Sequence, residues 1–268
     1  MNLSSIPFYR SFTSEILKVK KTALLWVTAL GAFAMAGIIF MVFLIRATEF
    51  VGPVGANPWV GFLEFSLPII EIFLIPFIVL VCSSIAFYEH QAQAWKLLYT
   101  LPVRKEHFYF PKLLLALILL MGAYLLFALL TFCSGTLLGF IYPSFEFHYY
   151  SPEWANIFKV IARSFISALS IVGLHYWISL RWKNYVVPVG IGLFGYILGL
   201  SIAGAFKWAQ FIPYCAPIYI GRLMGGQSAA SMDMTLFAGL SNVEWYSITG
   251  FLLFSILGFQ EQKLRNVK

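Results

Sequence analysis

Long apolar runs separated by short polar stretches make up most of the chain after its first 21 residues. A helix needs roughly 20 apolar residues to cross the hydrocarbon core of a bilayer. Six runs approach or exceed that length, so the pattern predicts an all-α integral membrane protein with six transmembrane helices. The runs are Thr22–Ile45, Ser66–Tyr88, Leu113–Tyr142, Ile157–Leu180, Tyr185–Phe206 and Val243–Phe259.

The composition indicates that most of the protein surface faces lipid. Of the 268 residues, 60% are hydrophobic and only 11% are charged, whereas soluble domains carry about 25% charged residues. Six spans leave no room for a soluble domain of ordinary size. We therefore expect residues 1–21 to form a cytoplasmic interfacial helix and residues 22–268 to form a single six-span domain.

The positions of lysine and arginine predict the orientation in the membrane. Thirteen of them fall in the N-terminal segment, the second and fourth connections and the C-terminal tail, and three fall on the other side. Because cytoplasmic loops are enriched in these residues, both termini are expected in the cytoplasm, as an even number of spans requires. The net charge of +7 then reflects cytoplasmic loops and does not indicate a nucleic-acid partner.

The N-terminal segment has the pattern of an amphipathic helix. Phe8, Phe12, Ile16 and Val19 recur at helical spacing and share one face. Such a helix is expected to lie in the cytoplasmic membrane interface. A cytoplasmic continuation of the first span is the alternative.

The connection between the second and third runs also has a distinctive pattern. Its first part favours a short helix that Pro102 ends, since the residue before a proline avoids the helical conformation. Trp95, Leu98 and Tyr99 would be exposed on that helix and would favour a protein partner. The alternative is a solvated loop whose aromatic rings enter the lipid headgroups.

Three stretches of the sequence resemble the ABC-2-type family of ABC-transporter membrane subunits. The first is the second connection, where Trp-Lys-Leu-Leu is followed by Leu-Pro-Val-Arg and a lysine before the next span. The second is the N-terminal segment. The third, Ser179–Gly192, is similar to the lantibiotic and bacitracin immunity branch. The N-terminal residues that carry the resemblance are Phe12, Glu15, Lys18, Lys20, Lys21 and Trp26.

The resemblance implies a coupling helix, a connecting helix and an outer hairpin. The second connection would dock on a separate ATP-binding subunit, and the N-terminal helix would lie beside it. The connection Lys207–Asn242 would contain a re-entrant helical hairpin; a loop lying flat on the surface is the alternative. The docking residues would be Glu89, Trp95, Lys96, Leu98, Tyr99, Pro102 and Arg104.

The partners and cofactors follow from the same resemblance. The chain has no GxxxxGK[ST] loop to hold ATP phosphates, so ATP and Mg would bind to the partner subunit and this chain would hold no cofactor or metal. A second copy or a related permease subunit would complete the pathway in the bacterial cytoplasmic membrane. No catalytic set is evident, so we do not expect an enzyme.

Three charged residues lie inside or near the ends of predicted spans. Glu71 and Arg163 fall at similar depth towards the outer side, and Lys159 lies closer to the surface. A lone charge in a membrane costs on the order of 3 kcal/mol or more. We therefore expect Glu71 and Arg163 to pair, or to line a polar cavity in the outer leaflet; with Lys159 they form a candidate substrate pathway, and a structural pair without substrate contact is the alternative.

Smaller features are expected to serve packing. His175 has no visible chain of titrating partners, which favours a hydrogen-bonded packing histidine over a proton relay. The pairs Gly135/Gly139 and Gly195/Gly199 allow close helix approach, either within the chain or in a dimer.

The leading function is the permease subunit of an ATP-driven exporter of antimicrobial peptides or drugs; the alternatives are an ion-coupled secondary transporter and a membrane assembly factor.

Overall fold

The fold is a bundle of long helices. The computed structural model describes residues 7–20, 22–50, 56–91, 104–152, 154–224, 236–237 and 239–264. Within these residues, helices α1 to α8 are Pro7–Lys20, Leu24–Ile45, Pro58–Gln91, Glu106–Ile141, Trp154–Arg181, Val186–Ile202, Ala216–Met224 and Asn242–Leu264.

Short elements lie between the helices. Single 3-10 turns follow α2 and α4, and two more, Lys207–Phe211 and Pro213–Cys215, lead into α7. Strands β1, Leu236–Phe237, and β2, Leu240–Ser241, pair in antiparallel register immediately before α8.

Contacts at the helix ends show that the long helices alternate in direction. At one end, the Lys105 ammonium, just before α4, donates to the carbonyls of Gln262 and Lys263 at the end of α8. At the opposite end, the Tyr142 hydroxyl, just after α4, donates to the carbonyl of Leu44 near the end of α2 at 3.2 Å. The first end therefore carries the ends of α1, α3 and α5 and the start of α4, with the end of α8.

Four of the described helical stretches are long and apolar enough to cross a membrane. They are Leu24–Ile45, Phe73–Gln91, Glu106–Ile141 and Ile157–Arg181. Helix α6 is apolar but has only 17 residues. Helix α8 has 23 residues, with Glu244 in its first turn and Lys263 in its last. All six predicted apolar runs contain a helix, but only these four meet both criteria.

Helix α3 is longer than its predicted span and contains two prolines. The sequence pattern places the span at Ser66–Tyr88, whereas α3 begins at Pro58 and continues through Pro68 and Pro76. A proline removes one backbone hydrogen bond, and membrane helices tolerate this where neighbouring groups satisfy the freed carbonyl. The helix therefore spans 34 residues.

Two packed clusters of apolar side chains hold the bundle together. The larger joins α1, α3, α4, α5 and the segment before α7. The smaller is rich in aromatic rings and surrounds Trp59, whose indole N–H donates to the carbonyls of Phe147 and Tyr150. Trp59 is buried at the start of α3, so these bonds fix the connection between α4 and α5 against that helix.

Candidate functional site

Four charged side chains form a compact cluster at one end of the bundle. The ammonium of Lys112 lies 2.5 Å from a carboxylate oxygen of Glu15 and 3.1 Å from one of Glu89. The ammonium of Lys18 contacts the same two oxygens at 2.9 and 2.7 Å. Two lysines and two glutamates thus alternate around one site, which we call the ionic cluster.

Three helices supply the ionic cluster. Glu15 and Lys18 stand one turn apart on α1, Glu89 lies in the last turn of α3, and Lys112 lies in the second turn of α4. Residues 92–103 connect α3 to α4 in the sequence, so the cluster lies at the two helix ends that this connection joins. Phe12, Ile16 and Val19 pack α1 against the larger apolar cluster, which places Glu15 inward.

Burial gives the ionic cluster its strength. The side chain of Lys112 is 0% exposed and that of Lys18 is 46% exposed. A buried charge is costly to leave without a partner, because its hydration is lost and no other group replaces it. Each carboxylate here therefore depends on Lys112, and Lys18 adds a second, partly solvated contact.

The carboxylates also shift the titration of Lys18. Burial alone would lower its pKa, but hydrogen bonds and charge attraction from Glu15 and Glu89 outweigh that effect. The pKa of Lys18 consequently lies above its ordinary value of 10.5.

Further polar contacts tie α5 and α8 together at the same end. The indole N–H of Trp177 donates to the Glu261 carboxylate at 2.7 Å, and Arg181 approaches the same oxygen at 3.4 Å. The hydroxyl of Tyr176 donates to the carbonyl of Tyr109, linking α5 to α4. Polar contacts thus join α5 to both α4 and α8 at this end of the bundle.

The docking residues expected from the sequence are only partly within the described residues. Trp95, Lys96, Leu98, Tyr99 and Pro102 lie outside them. Glu89 is 5% exposed and its carboxylate is held in the ionic cluster. Arg104 is 84% exposed and approaches Glu106 at 3.5 Å. The docking role of the set stays a prediction.

The expected pair of Glu71 with Arg163 is not the pair that forms. Arg163 instead makes two hydrogen bonds to the carboxylate of Glu244, at 2.9 and 2.7 Å. Glu71 accepts a hydrogen bond from the hydroxyl of Ser164, the next residue along α5. Lys159 is exposed. Counting residues along the helices placed Glu71 and Arg163 at a similar depth, and Glu71 does contact Ser164, the neighbour of Arg163 on α5. The count gave no information on which face of α5 each side chain occupies.

Glu244 was missed because it lies next to the start of the last apolar run. Its carboxylate also accepts hydrogen bonds from the backbone N–H and the hydroxyl of Ser241, both at 2.7 Å. Ser-x-x-Glu at a helix start is the capping-box pattern, which is visible in the sequence. The Arg163–Glu244 pair thus joins α5 to the capped start of α8.

The segment before α7 inserts a tyrosine between α5 and α6. The hydroxyl of Tyr214 is 2.7 Å from Nε2 of His175, and both residues are buried. The ring of Tyr214 lies on Gly195 and its backbone on Gly199, where an added methyl group would overlap these atoms or press against them. His175 is therefore hydrogen-bonded in the core, as expected.

The glycine pairs pack against residues of the same chain. Gly195 and Gly199 form the seat of Tyr214, and Gly135 of the other pair lies against the indole of Trp59. Helix α7 continues this packing, since Gly221 lies against the side chain of Glu71. Of the two uses left open by the sequence, these positions serve internal packing.

The fold and these contacts define the class of protein. A nearly all-helical chain with four helices apolar enough to cross a bilayer is a multi-pass integral membrane protein. A family model described as "ABC-2 family transporter protein" matches residues 11–199. The chain therefore belongs to the ABC-2 family and is a permease, a membrane component of ABC transport. A comparison with curated proteins finds no matching sequence.

Proposed function

We propose that this chain is the membrane-spanning subunit of an ATP-driven exporter, moved by a separate ATPase subunit that docks on residues 92–104. ABC-2 permeases typically work with an ATP-binding subunit. The observation that carries the proposal is the ionic cluster, because it lies at the base of this connection and joins it to three helices.

The ionic cluster gives a physical route from the docking segment into the bundle. Force on residues 92–104 reaches Glu89 at the end of α3 and Lys112 in α4 through continuous backbone. Glu15 and Lys18 then carry the same displacement to α1. In this mechanism Glu89 fixes the base of the segment. Apolar contact with the ATPase subunit comes from Trp95, Leu98 and Tyr99. Charged contact comes from Lys96 and Arg104.

The proposal includes six spans with both termini in the cytoplasm of a bacterial cell. Helix α6 is about 25 Å long at 1.5 Å per residue, and a short span is accommodated by local thinning of the bilayer. Helix α8 has its charged residues near its two ends, where they reach the interfaces. The end that carries the ionic cluster is then cytoplasmic, in agreement with the lysine and arginine bias.

The segment from Lys207 to Met224 is the proposed re-entrant hairpin. Tyr214 reaches the level of Gly195 on α6 and bonds to His175, whereas Met224 returns to within 3.8 Å of the Arg163 guanidinium. Non-helical backbone at membrane depth must be buried in protein, and Tyr214, Cys215 and Ala216 are buried.

Two permease subunits, identical or related, would enclose the transport pathway. The resemblance to the lantibiotic and bacitracin immunity branch favours an antimicrobial peptide or a drug as substrate. Arg163 is held by Glu244, whereas one carboxylate oxygen of Glu71, like one of Glu89, has no hydrogen-bond partner in the described structure. We assign to Glu71 the polar contact inside the pathway.

Co-purification with a candidate ATPase subunit, sought first in the neighbouring reading frame, tests the docking role. Trp95→Glu combined with Leu98→Glu should abolish capture of the ATPase, because two charges would replace the apolar contact. Tyr149→Glu is the matched control, since Tyr149 is exposed in the connection after α4, at the opposite end of the bundle. Undiminished capture by the double variant would remove the docking role.

Labelling of single cysteines tests the orientation. Cys133 is exposed and must first be replaced, whereas Cys82 and Cys215 are buried. A cysteine at position 96 should react with a membrane-impermeant maleimide only after the cell is opened, and one at position 149 should react in intact cells. The reverse pattern would contradict the coupling mechanism.

Transport assays separate this function from its alternatives. Export should stop when the ATPase partner loses the lysine of its phosphate-binding loop. Export that continues and collapses with the proton gradient would support an ion-coupled secondary transporter. An assembly factor would show no transport in reconstituted vesicles with either energy source.

A further inference from the structure

Lys105, the residue that precedes α4, contacts the C-terminal end of α8. Its ammonium group donates to the carbonyl of Gln262 at 3.1 Å and to that of Lys263 at 3.0 Å. Helix α8 is described up to Leu264, and the last carbonyls of a helix lack partners within the helix itself. A cation at this end also interacts favourably with the helix dipole. Lys105 therefore caps α8 from the connection between α3 and α4.

The first turns of α4 contact the same face of α8 at two further levels. The hydroxyl of Tyr109 donates to the carbonyl of Ser255 at 3.0 Å, and both residues are buried. The rings of Tyr109 and Phe110 lie 5.6 and 5.3 Å from the ring of Phe259. Ser255, Phe259 and Gln262 are spaced by four and three residues, so they share one face of the helix. The start of α4 thus holds α8 over about two turns.

The opposite end of α8 leads to the proposed hairpin. Glu244, in the first turn of α8, is bonded to Arg163. The guanidinium of Arg163 lies 3.8 Å from the sulfur of Met224, the last residue of α7. Helix α8 has 23 residues, which corresponds to about 35 Å at 1.5 Å per residue. The helix therefore connects Lys105 at one end of the bundle with the end of α7 at the other.

From these contacts we propose that Lys105 is a positioning residue of the coupling mechanism, which makes α8 follow the docking segment and carries its displacement to the end of α7. The inference rests on the proposed function, because the docking segment, residues 92–104, ends directly before Lys105. The route is distinct from the ionic cluster, whose members lie on α1, α3 and α4. Loss of the Lys105 side chain should uncouple α8 without removing the apolar docking contact.

Hydrogen exchange of the full chain alone, in lipid nanodiscs, tests the contact. Lys105→Met should make the backbone amides of residues 259–264 exchange about three- to tenfold faster, because the last turn of α8 loses two hydrogen bonds. Lys105→Arg keeps a cation with N–H donors and should restore slow exchange. Lys183→Met is the matched control, since Lys183 is an exposed lysine between α5 and α6 at the same end of the bundle. Equal exchange in Lys105→Met and the wild type would overturn the proposal.

Exchange in the complex with the captured ATPase subunit tests the transmission. Trapping the ATPase with ATP and vanadate should change the exchange of residues 241–247, at the start of α8, by about threefold or more in the wild type. Lys105→Met should capture the ATPase normally and lose most of this change, whereas Lys105→Arg and Lys183→Met should keep it.

The outcomes separate this inference from the proposed function. A change in Lys105→Met as large as in the wild type, or no change in the wild type, would overturn the role of Lys105 while capture of the ATPase still supports docking. Failure of the wild type to capture the ATPase would overturn the docking role and the transmission together.

Discussion

Lys112 places its ammonium group between the carboxylates of Glu15 and Glu89, at 2.5 and 3.1 Å, with no exposure to solvent. One side chain of α4 thereby holds both α1 and the end of α3. In the sequence, Lys112 is one of the basic residues of the second connection that indicate the orientation. In the structure it is the interior member of the ionic cluster.

Removing Lys112 should destabilise the protein strongly. Lys112→Met leaves the two buried carboxylates with only the partly solvated Lys18 as a shared partner, and loss of one member of a buried pair costs about 3–5 kcal/mol. Lys18→Met should cost less, because Lys18 is partly solvated. Thermal unfolding in detergent, followed by size-exclusion fluorescence, measures both.

Arg104→Met is the control for that series. Arg104 and Glu106 form an exposed pair at 3.5 Å, and such pairs contribute about 0–1 kcal/mol. A melting temperature for Lys112→Met equal to that of Arg104→Met would show that the buried cluster contributes no more to stability than the exposed pair.

The raised pKa of Lys18 predicts a loss of stability at high pH. A lysine whose pKa is raised on folding stabilises the folded state fully below its ordinary value of 10.5. That contribution disappears as pH rises through the higher folded value. The difference in melting temperature between the wild type and Lys18→Met should therefore be constant from neutral pH up to about pH 10 and shrink above it. A difference that grows with pH would contradict the sign.

The partner of Arg163 can be checked by double-mutant cycles. Arg163 and Glu244 share two hydrogen bonds, so replacing both by leucine should give a coupling energy of about 0.5–3 kcal/mol. The cycle of Arg163 with Glu71 should give a smaller coupling, because Glu71 is bonded to Ser164. A larger coupling energy for Arg163 with Glu71 than for Arg163 with Glu244 would support the pair expected from the sequence.

Two glycines on α6 allow a matched test of the inserted tyrosine. Gly195→Ala puts a methyl group into the ring of Tyr214, and overpacking of this kind costs about 1–3 kcal/mol. At Gly190 an added Cβ meets no described atom within 4 Å, so Gly190→Ala should gain about 0.5–1 kcal/mol from helix propensity. Melting temperatures that move in the same direction would contradict the packing of Tyr214 on α6.

The apolar runs predicted the helices well because their length and hydrophobicity are local properties. Each run contains a helix, and the helix at Pro7–Lys20 carries the predicted apolar face. The start of α3 was misplaced by eight residues, from Ser66 to Pro58. The reason is that Gly61 and Glu64 interrupt the apolar pattern before Ser66, although the helix continues through both residues.

The polar partners could not be predicted because they depend on which helices are neighbours. Glu71 and Arg163 matched in depth, but α5 turns Arg163 towards α8 and Ser164 towards α3. Glu15, Glu89 and Lys112 are 74 and 23 residues apart along the chain, and only the packing of α1 on α4 brings them together. Local patterns could have identified the capping box at Ser241 and Glu244 and the pair of Glu15 and Lys18, which stand one turn apart on α1.

The seat of Tyr214 on the glycine face of α6 has a mechanical consequence. A ring that fills the face of a helix prevents that helix from sliding or rotating alone, since either motion would drive side chains into the ring. Helix α6 and the segment that carries Tyr214 are therefore expected to move together. A displacement that begins near Val186, at the far end of α6, would then also move the stretch from Lys207 to Cys215.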